Sequence, residues 1–268
     1  MKRDSRHLSA RQYATDLAAS GRYHFVSADA QSALAVSPTA AKLALNRLIK
    51  QKVIASPARG FYVIVPPEYR GIGCLPADQF IPDLMNRLGV SYYAGLLSAA
   101  QYHGAAHHRP QEFQVCLAKN RRPIECGAVR VGFVVRKHIA EVPVQAFNTP
   151  RGTILVSTPE ATALDLVGYA NHVGGLDNAA TVLSELGEKI EPEKLVLAAQ
   201  AAPLPWAQRL GYLLELVGST EKAVKLKAYV HQHSKHTVPL LSGGRRSRSR
   251  RNRDWKLDVN TELELDSL

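Results

Sequence analysis

The chain of 268 residues contains only three cysteines, Cys74, Cys116 and Cys126. With no CxxC pair among them, neither a disulfide framework nor a thiolate zinc site is indicated, and all three are expected as reduced, mostly buried thiols. Long apolar runs are also missing. None approaches the roughly 18 residues a membrane helix needs, and Met1-Lys2-Arg3-Asp4 leads into no apolar signal core. A cytoplasmic protein with no membrane partner is therefore expected.

The usual catalytic signatures are missing as well. There is no P-loop, no GxGxxG after a strand and no GxSxG. His103, His107 and His108 include an i, i+4 pair, but Gly104 and Pro110 break the helix that would have to present them to zinc. Glu160 and Asp165 are five apart, on different faces of one expected helix, with no metal-binding nuclease or nucleotidyltransferase pattern around them. Asp165 is read as a structural hydrogen-bonding group. No catalytic residue, cofactor or metal is expected, and a DNA-processing enzyme is the least favoured alternative.

Charge is present but unevenly spread. The net charge is +11. Residues 1–65 hold 10 basic and 3 acidic side chains, residues 66–218 hold 13 and 14, and residues 219–268 hold 11 and 6. An excess confined to one small segment is the footprint of a nucleic-acid-binding module attached to a region with another task. A solubility surplus is the plainer alternative. Pro66-Pro67, followed by Gly71-Ile72-Gly73, marks the boundary.

Before that boundary three helices are expected. Ser9 caps a helix with Ala10, Tyr13, Ala14 and Leu17 at helical spacing, which Gly21 ends. Ser27 caps a second, running to about Leu34. Ala35-Val36 makes a tight connection, and Ser37-Pro38 starts a third helix that runs to about Lys52. On its wheel Ala41, Ala44, Leu45, Leu48 and Ile49 share one face. Thr39, Lys42, Leu43, Asn46 and Lys50 lie opposite, with Arg47 on the flank. Lys42, Asn46 and Lys50 form a row of roughly 12 Å, suited to a major groove. Two short strands, Val53-Ile54-Ala55 and Phe61 to Val65, then enclose a hairpin with Arg59 near its tip. This is the order of a winged helix-turn-helix, whose third helix reads bases and whose wing touches backbone.

Side-chain chemistry divides the work. Asn46 suits adenine and Arg47 guanine; Lys42, Lys50 and Arg59 suit phosphates, and Thr39 either. With Ser37, these are the candidate DNA contacts. Leu43 could meet a thymine methyl or pack on the wing. A solvated basic face or a protein-interaction module remains the alternative.

The larger remainder reads as an α+β domain. Helices are expected over Phe80 to Leu88 and Ser91 to His103. Strands follow at Glu112 to Leu117, Val129 to Val135, Val142 to Phe147 and Thr153 to Val156. Helices then cover Ala161 to Tyr169, capped by Thr158-Pro159-Glu160, and about Leu176 to Leu186, Pro192 to Ala201, Pro205 to Val217 and Thr220 to His231. Strands at Thr237 to Leu241 and Trp255 to Leu265 flank an Arg-rich loop, 243–253, expected to be exposed and mobile. Its Arg245, Arg246, Arg248, Arg250, Arg251 and Arg253 could add sequence-independent phosphate attraction, or form a solvated loop with no partner.

Four stretches then resemble the AbiEi antitoxins of type IV toxin-antitoxin systems. They are Arg59-Gly60-Phe61-Tyr62-Val63, the run from Tyr92-Tyr93-Ala94-Gly95 to His103-Gly104, Thr158-Pro159-Glu160-Ala161-Thr162-Ala163-Leu164-Asp165-Leu166, and Trp255 to Glu262 with its Val259-Asn260. The resemblance implies a two-domain bacterial protein linked with abortive phage infection. Its winged helix-turn-helix, residues 1–66, would bind double-stranded DNA at inverted repeats in its own promoter and repress it. An α+β antitoxin domain, residues 67–268, would counteract a nucleotidyltransferase-like toxin. Tyr92, His103 and Asp165 are read as organising the fold. Two features depart from the family: Lys52 stands where glycine is common, and the Arg-rich run looks like an insertion. A winged-helix regulator with a ligand- or protein-sensing domain and no toxin is the alternative.

Overall fold

The computed structural model describes residues 8–105, 111–243 and 250–263. His107, His108, Arg245, Arg246 and Arg248 lie outside the described residues. No described helix is long and apolar enough to cross a membrane.

The N-terminal part is built from α1 (Ala10–Ala19), β1 (His24–Val26), α2 (Ser27–Leu34), α3 (Pro38–Lys50), β2 (Ile54–Ala58) and β3 (Phe61–Ile64). Ser9 caps α1, its hydroxyl accepting from the Gln12 amide at 3.1 Å. Tyr13, Ala14, Phe25, Ala30, Leu34, Leu45, Leu48, Ile54 and Ile64 make one apolar core. Strand β1 is not evident from the sequence pattern. It pairs antiparallel with β3 to give a sheet of order β1-β3-β2. That strand also corrects the start of α2: Ser27 is its first helical residue, and Val26 precedes it without a side-chain cap. The Ser27 amide is used by the sheet, donating to the Gly60 carbonyl at 3.1 Å.

Helix α3 stops at Lys50, short of the expected Lys52, because Lys52 turns the chain into β2 at φ 55°. A non-glycine residue in this left-handed region is held at a cost of about 1–2 kcal/mol. Replacing it with glycine removes that strain while adding about 0.4–1 kcal/mol of unfolded-state entropy. Lys52→Gly should therefore stabilise the chain by about 0.5–1 kcal/mol, read as a higher urea midpoint at unchanged m.

The larger part begins with α4 (Ile81–Leu88), ended by Gly89 at φ 62°. It continues through β4 (Tyr92–Ala94), α5 (Leu96–Tyr102), β5 (Phe113–Leu117), β6 (Ile124–Cys126), β7 (Val129–Val135), β8 (Val144–Thr149) and β9 (Gly152–Ser157). The helix expected over Ser91 to His103 is thus corrected to a strand and a shorter helix. Tyr92, Tyr93 and Ala94 pair with Leu117, Cys116 and Val115 inside a six-stranded mixed sheet of order β6-β7-β5-β4-β9-β8. The break comes at Gly95, where a Cβ would lie 2.7 Å from the Cys116 sulfur, followed by Leu96 at φ 55°. Strand β6 is a further addition to the expected elements; it pairs antiparallel with β7.

Helix α6 (Pro159–Gly168) packs on β9, α7 (Leu176–Leu186), α8 (Pro192–Gln200) and α9 (Leu204–Leu216) gather around α6, and α10 (Thr220–His233) packs on α8 and α9. Helix α6 is buried from Glu160 through Val167, which places it at the centre of the bundle. A small sheet of order β10-β12-β11 closes the chain, from β10 (Val238–Pro239), β11 (Arg250–Asn252) and β12 (Leu257–Val259). The Arg-rich segment is therefore not loop throughout, because Arg250–Asn252 pairs antiparallel with β12. Trp255 is fully buried, and a Cβ on Gly211 would sit 2.0 Å from its ring.

The two parts share a core. Phe61, Val63 and Val65 pack in one cluster with Phe80, Leu84, Val115 and Val131. Polar contacts add to it: His24 Nδ1 lies 2.9 Å from an Asp83 oxygen, and the Arg151 guanidinium stacks 3.4 Å from the Tyr23 ring centroid.

Candidate nucleic-acid interface

Helix α3 starts where the Ser37 hydroxyl accepts from the Ala40 amide at 3.3 Å, with Pro38 at its first position. Proline there has no amide to satisfy, so the two residues fix both the start and the direction of the helix. Ala41, Leu45 and Leu48 are buried. The opposite face carries Thr39, Lys42, Leu43, Asn46, Arg47 and Lys50, all exposed. Leu43 is 55% exposed, so it is not buried against the wing. Burial of one stripe and exposure of the other follow from the 3.6-residue period.

Arg59 is exposed at the turn of the β2–β3 hairpin, next to Gly60 at φ 69°. The Ala58↔Phe61 pairing leaves a two-residue loop, and a positive φ there suits glycine. Among the described residues, Lys42, Arg47, Lys50 and Arg59 have no ion-pair partner. Their charge is presented to solvent uncompensated, as phosphate contacts require.

The C-terminal arginines are held elsewhere. Arg250 and Arg251 lie on β11 and Arg253 just after it, in the sheet that packs on α9 through Trp255. All three are exposed. Arg251 Nε lies 3.7 Å from an Asp258 oxygen, so part of its charge is matched within the sheet.

One buried polar cluster has no signal in the sequence apart from Asp165. The Tyr93 hydroxyl donates to Asp165 Oδ2 at 2.6 Å. Arg136 Nε lies 3.1 Å from Oδ1, close enough for strong charge attraction but out of hydrogen-bond alignment. The same guanidinium donates to the Ala201 carbonyl at 2.8 Å and stacks on Trp206. The cluster joins β4, the residue that follows β7, α6 and the C-cap of α8. Burial pushes the Asp165 carboxyl up to about 6, against the opposing pull of Arg136 and Tyr93. Burial raises the Tyr93 hydroxyl too, and the Asp165 charge raises it further. The structural reading of Asp165 agrees with this geometry. His103 is similarly committed: its Nε2 lies 2.7 Å from the Ser157 carbonyl, and burial lowers its pKa.

A carboxyl whose folded pKa exceeds its unfolded value gives a definite sign. Between about 3.8 and 6 the folded chain holds a proton that the unfolded chain has released. Its contribution to stability is complete below that window and declines as pH rises through it, by up to about 1.4 kcal/mol per pH unit. Urea titrations at pH 4, 5 and 6 should show this slope in the wild type and not in Asp165→Asn.

Residues 93–216 match the family model of the AbiEi antitoxin C-terminal domain. Among solved structures, the RV2827C protein from Mycobacterium tuberculosis aligns with a TM-score of 0.66 and 17% identity, covering 92% of this chain and 90% of that one. At that identity the likeness is one of fold, and it extends well beyond the matched domain. Comparison with curated proteins returns no match.

Proposed function

With an AbiEi antitoxin C-terminal domain over residues 93–216, we propose that this chain is a cytoplasmic type IV antitoxin, without catalytic activity of its own, that represses its own operon. The observation that carries the DNA-binding half is the exposed basic face of α3, without an ion-pair partner among the described residues, beside the arginine at the hairpin turn. The three helices and the β1-β3-β2 sheet follow the order of a winged helix-turn-helix. In that order the third helix enters the major groove and the hairpin reaches the flanking backbone.

Asn46 lies mid-row between Lys42 and Lys50. It can accept from adenine N6 and donate to N7, while the two lysines hold phosphates on either side. Arg47 faces guanine at the groove edge, Thr39 contacts base or backbone, and Arg59 contacts phosphate from the wing. Ser37 orients the helix end through its cap. Arg250, Arg251 and Arg253 supply a weaker, sequence-independent attraction.

The second half of the proposal is a partner: a nucleotidyltransferase-like toxin encoded in the same operon, which the larger part counteracts, with abortive phage infection as the outcome. Its support is the family match together with the near-neutral charge of residues 66–218, 13 basic against 14 acidic. That balance leaves this region free of the electrostatic demand placed on the first 65 residues.

The test is retardation of the chain's own upstream DNA, paired with growth rescue on co-expression with the adjacent gene. Asn46→Ala should cost about 1–3 kcal/mol of binding and relax specificity at one base pair. Absence of retardation at low salt overturns the repressor reading. Retardation without rescue of a toxic neighbour favours the regulator with no toxin.

A further inference from the structure

Where the segment after the hairpin meets β6, two backbones run against each other. The Ala128 amide donates to the Ile72 carbonyl at 2.7 Å. One residue inward, a Cβ on Gly127 would lie 2.9 Å from the Gly73 carbonyl carbon and 3.0 Å from its Cα. Both are glycines at positive φ, 74° and 60°, and at Gly127 no larger residue would allow the approach. Cys74 directly follows Gly73 in the chain, and Cys126 directly precedes Gly127.

Each cysteine is thus one Cα step, about 3.8 Å, from the point where the two backbones touch. A disulfide spans roughly 4.4–6.8 Å. Both side chains belong to one apolar cluster; Cys74 is fully buried and Cys126 is 8% exposed. The two thiols interact, and the interaction pulls the Cys126 thiol down while pushing that of Cys74 up. A backbone hydrogen bond from Ser56, on β2, lowers Cys126 further. Cys116 is different. It is wholly buried in a separate cluster beside Tyr93, and burial lifts it well above the ordinary thiol range.

We propose that Cys74 and Cys126 form an oxidisable dithiol, which hydrogen peroxide converts to an intrachain disulfide tying the segment after the hairpin to β6. Cys126 loses its proton and its thiolate attacks one peroxide oxygen. The O–O bond breaks, and the departing hydroxide takes up a proton to leave as water, giving a sulfenic acid. The Cys74 sulfur then attacks the Cys126 sulfur. The S–O bond breaks, and the hydroxyl leaves as water with the Cys74 proton. Two thiols and one peroxide become one disulfide and two waters, with sulfur oxidised and peroxide oxygen reduced. Strand β6 also lies against β2, whose Ala55 shares the apolar cluster of the two cysteines, so the bridge would staple the hairpin sheet, the connecting segment and the six-stranded sheet at one point. This inference does not depend on the chain binding DNA.

The experiment treats the full-length reduced protein with hydrogen peroxide, alkylates remaining thiols under denaturing conditions, and maps peptides by mass with and without reductant. The expected result is loss of two of the three thiols, a reducible peptide joining Cys74 to Cys126, an alkylated Cys116, and a chain that stays monomeric on a non-reducing gel. Cys116→Ser should give the same cross-link, whereas Cys126→Ser should abolish it. Three alkylated thiols after treatment would overturn the proposal. Sulfinic or sulfonic acid at Cys126 without the cross-linked peptide, or bridges only between chains, would overturn it equally.

Discussion

Asp165→Ala should lower folding stability by about 3–5 kcal/mol, because it leaves a buried guanidinium with no counter-charge. Arg136 is 4% exposed and Asp165 fully buried, so neither charge can recover hydration by a small side-chain movement. The Tyr93 hydroxyl would be stripped of its acceptor in the same step. Out of a total stability of about 5–15 kcal/mol, a loss of that size is visible in any urea titration. Arg136→Met combined with Asp165→Leu should be much milder than either change that strands one partner, since it removes both desolvation penalties together. Equal destabilisation by the double and single changes would mean that side-chain volume, and not charge, is what the site requires.

The second large effect concerns binding. Lys42→Ala, Lys50→Ala and Arg59→Ala together should lower the slope of log K against log salt by about 2.7, at about 0.9 for each phosphate no longer neutralised. At about 0.1 M salt that corresponds to roughly a 500-fold weakening of affinity, near 3.7 kcal/mol, with sequence preference retained. All three side chains are exposed and make no ion pair among the described residues, so the folded state should keep its thermal midpoint. An unchanged salt slope would show that DNA binds another surface. Asn46→Ala gives the complementary pattern, relaxed specificity at almost the same slope.

The exposed polar face of α3 is legible in the sequence because helical periodicity sorts side chains without help from distant residues. Lys42, Asn46 and Lys50 are on one row whatever α3 packs against, and the observed burial of Ala41, Leu45 and Leu48 follows the same wheel. Helix α7 occupies its expected range for the same reason. Three-residue strands give no such signal. The pairing of Tyr92, Tyr93 and Ala94 depends on β5, more than 20 residues on in sequence, and an Ala- and Leu-rich continuation into α5 favours one long helix. Charge hides β11, although an edge strand tolerates arginines that a central strand would not. The Arg136, Asp165 and Tyr93 cluster is assembled from three separate elements, with 72 residues between the tyrosine and the aspartate. Only a lone carboxylate on an otherwise apolar helix hints at it.

The apolar cluster that runs from Phe61, Val63 and Val65 into Phe80, Leu84 and Val115 means the front quarter of the chain is not a cassette. Cut away at residue 66, it would carry a bare greasy flank, and so would the remainder. Grafting it onto a foreign body would need that body to reproduce the same seam. Any test that separates the proposed repression from the proposed toxin control therefore has to be made by point changes on α3 in the intact chain, since shortening the protein would damage both halves together.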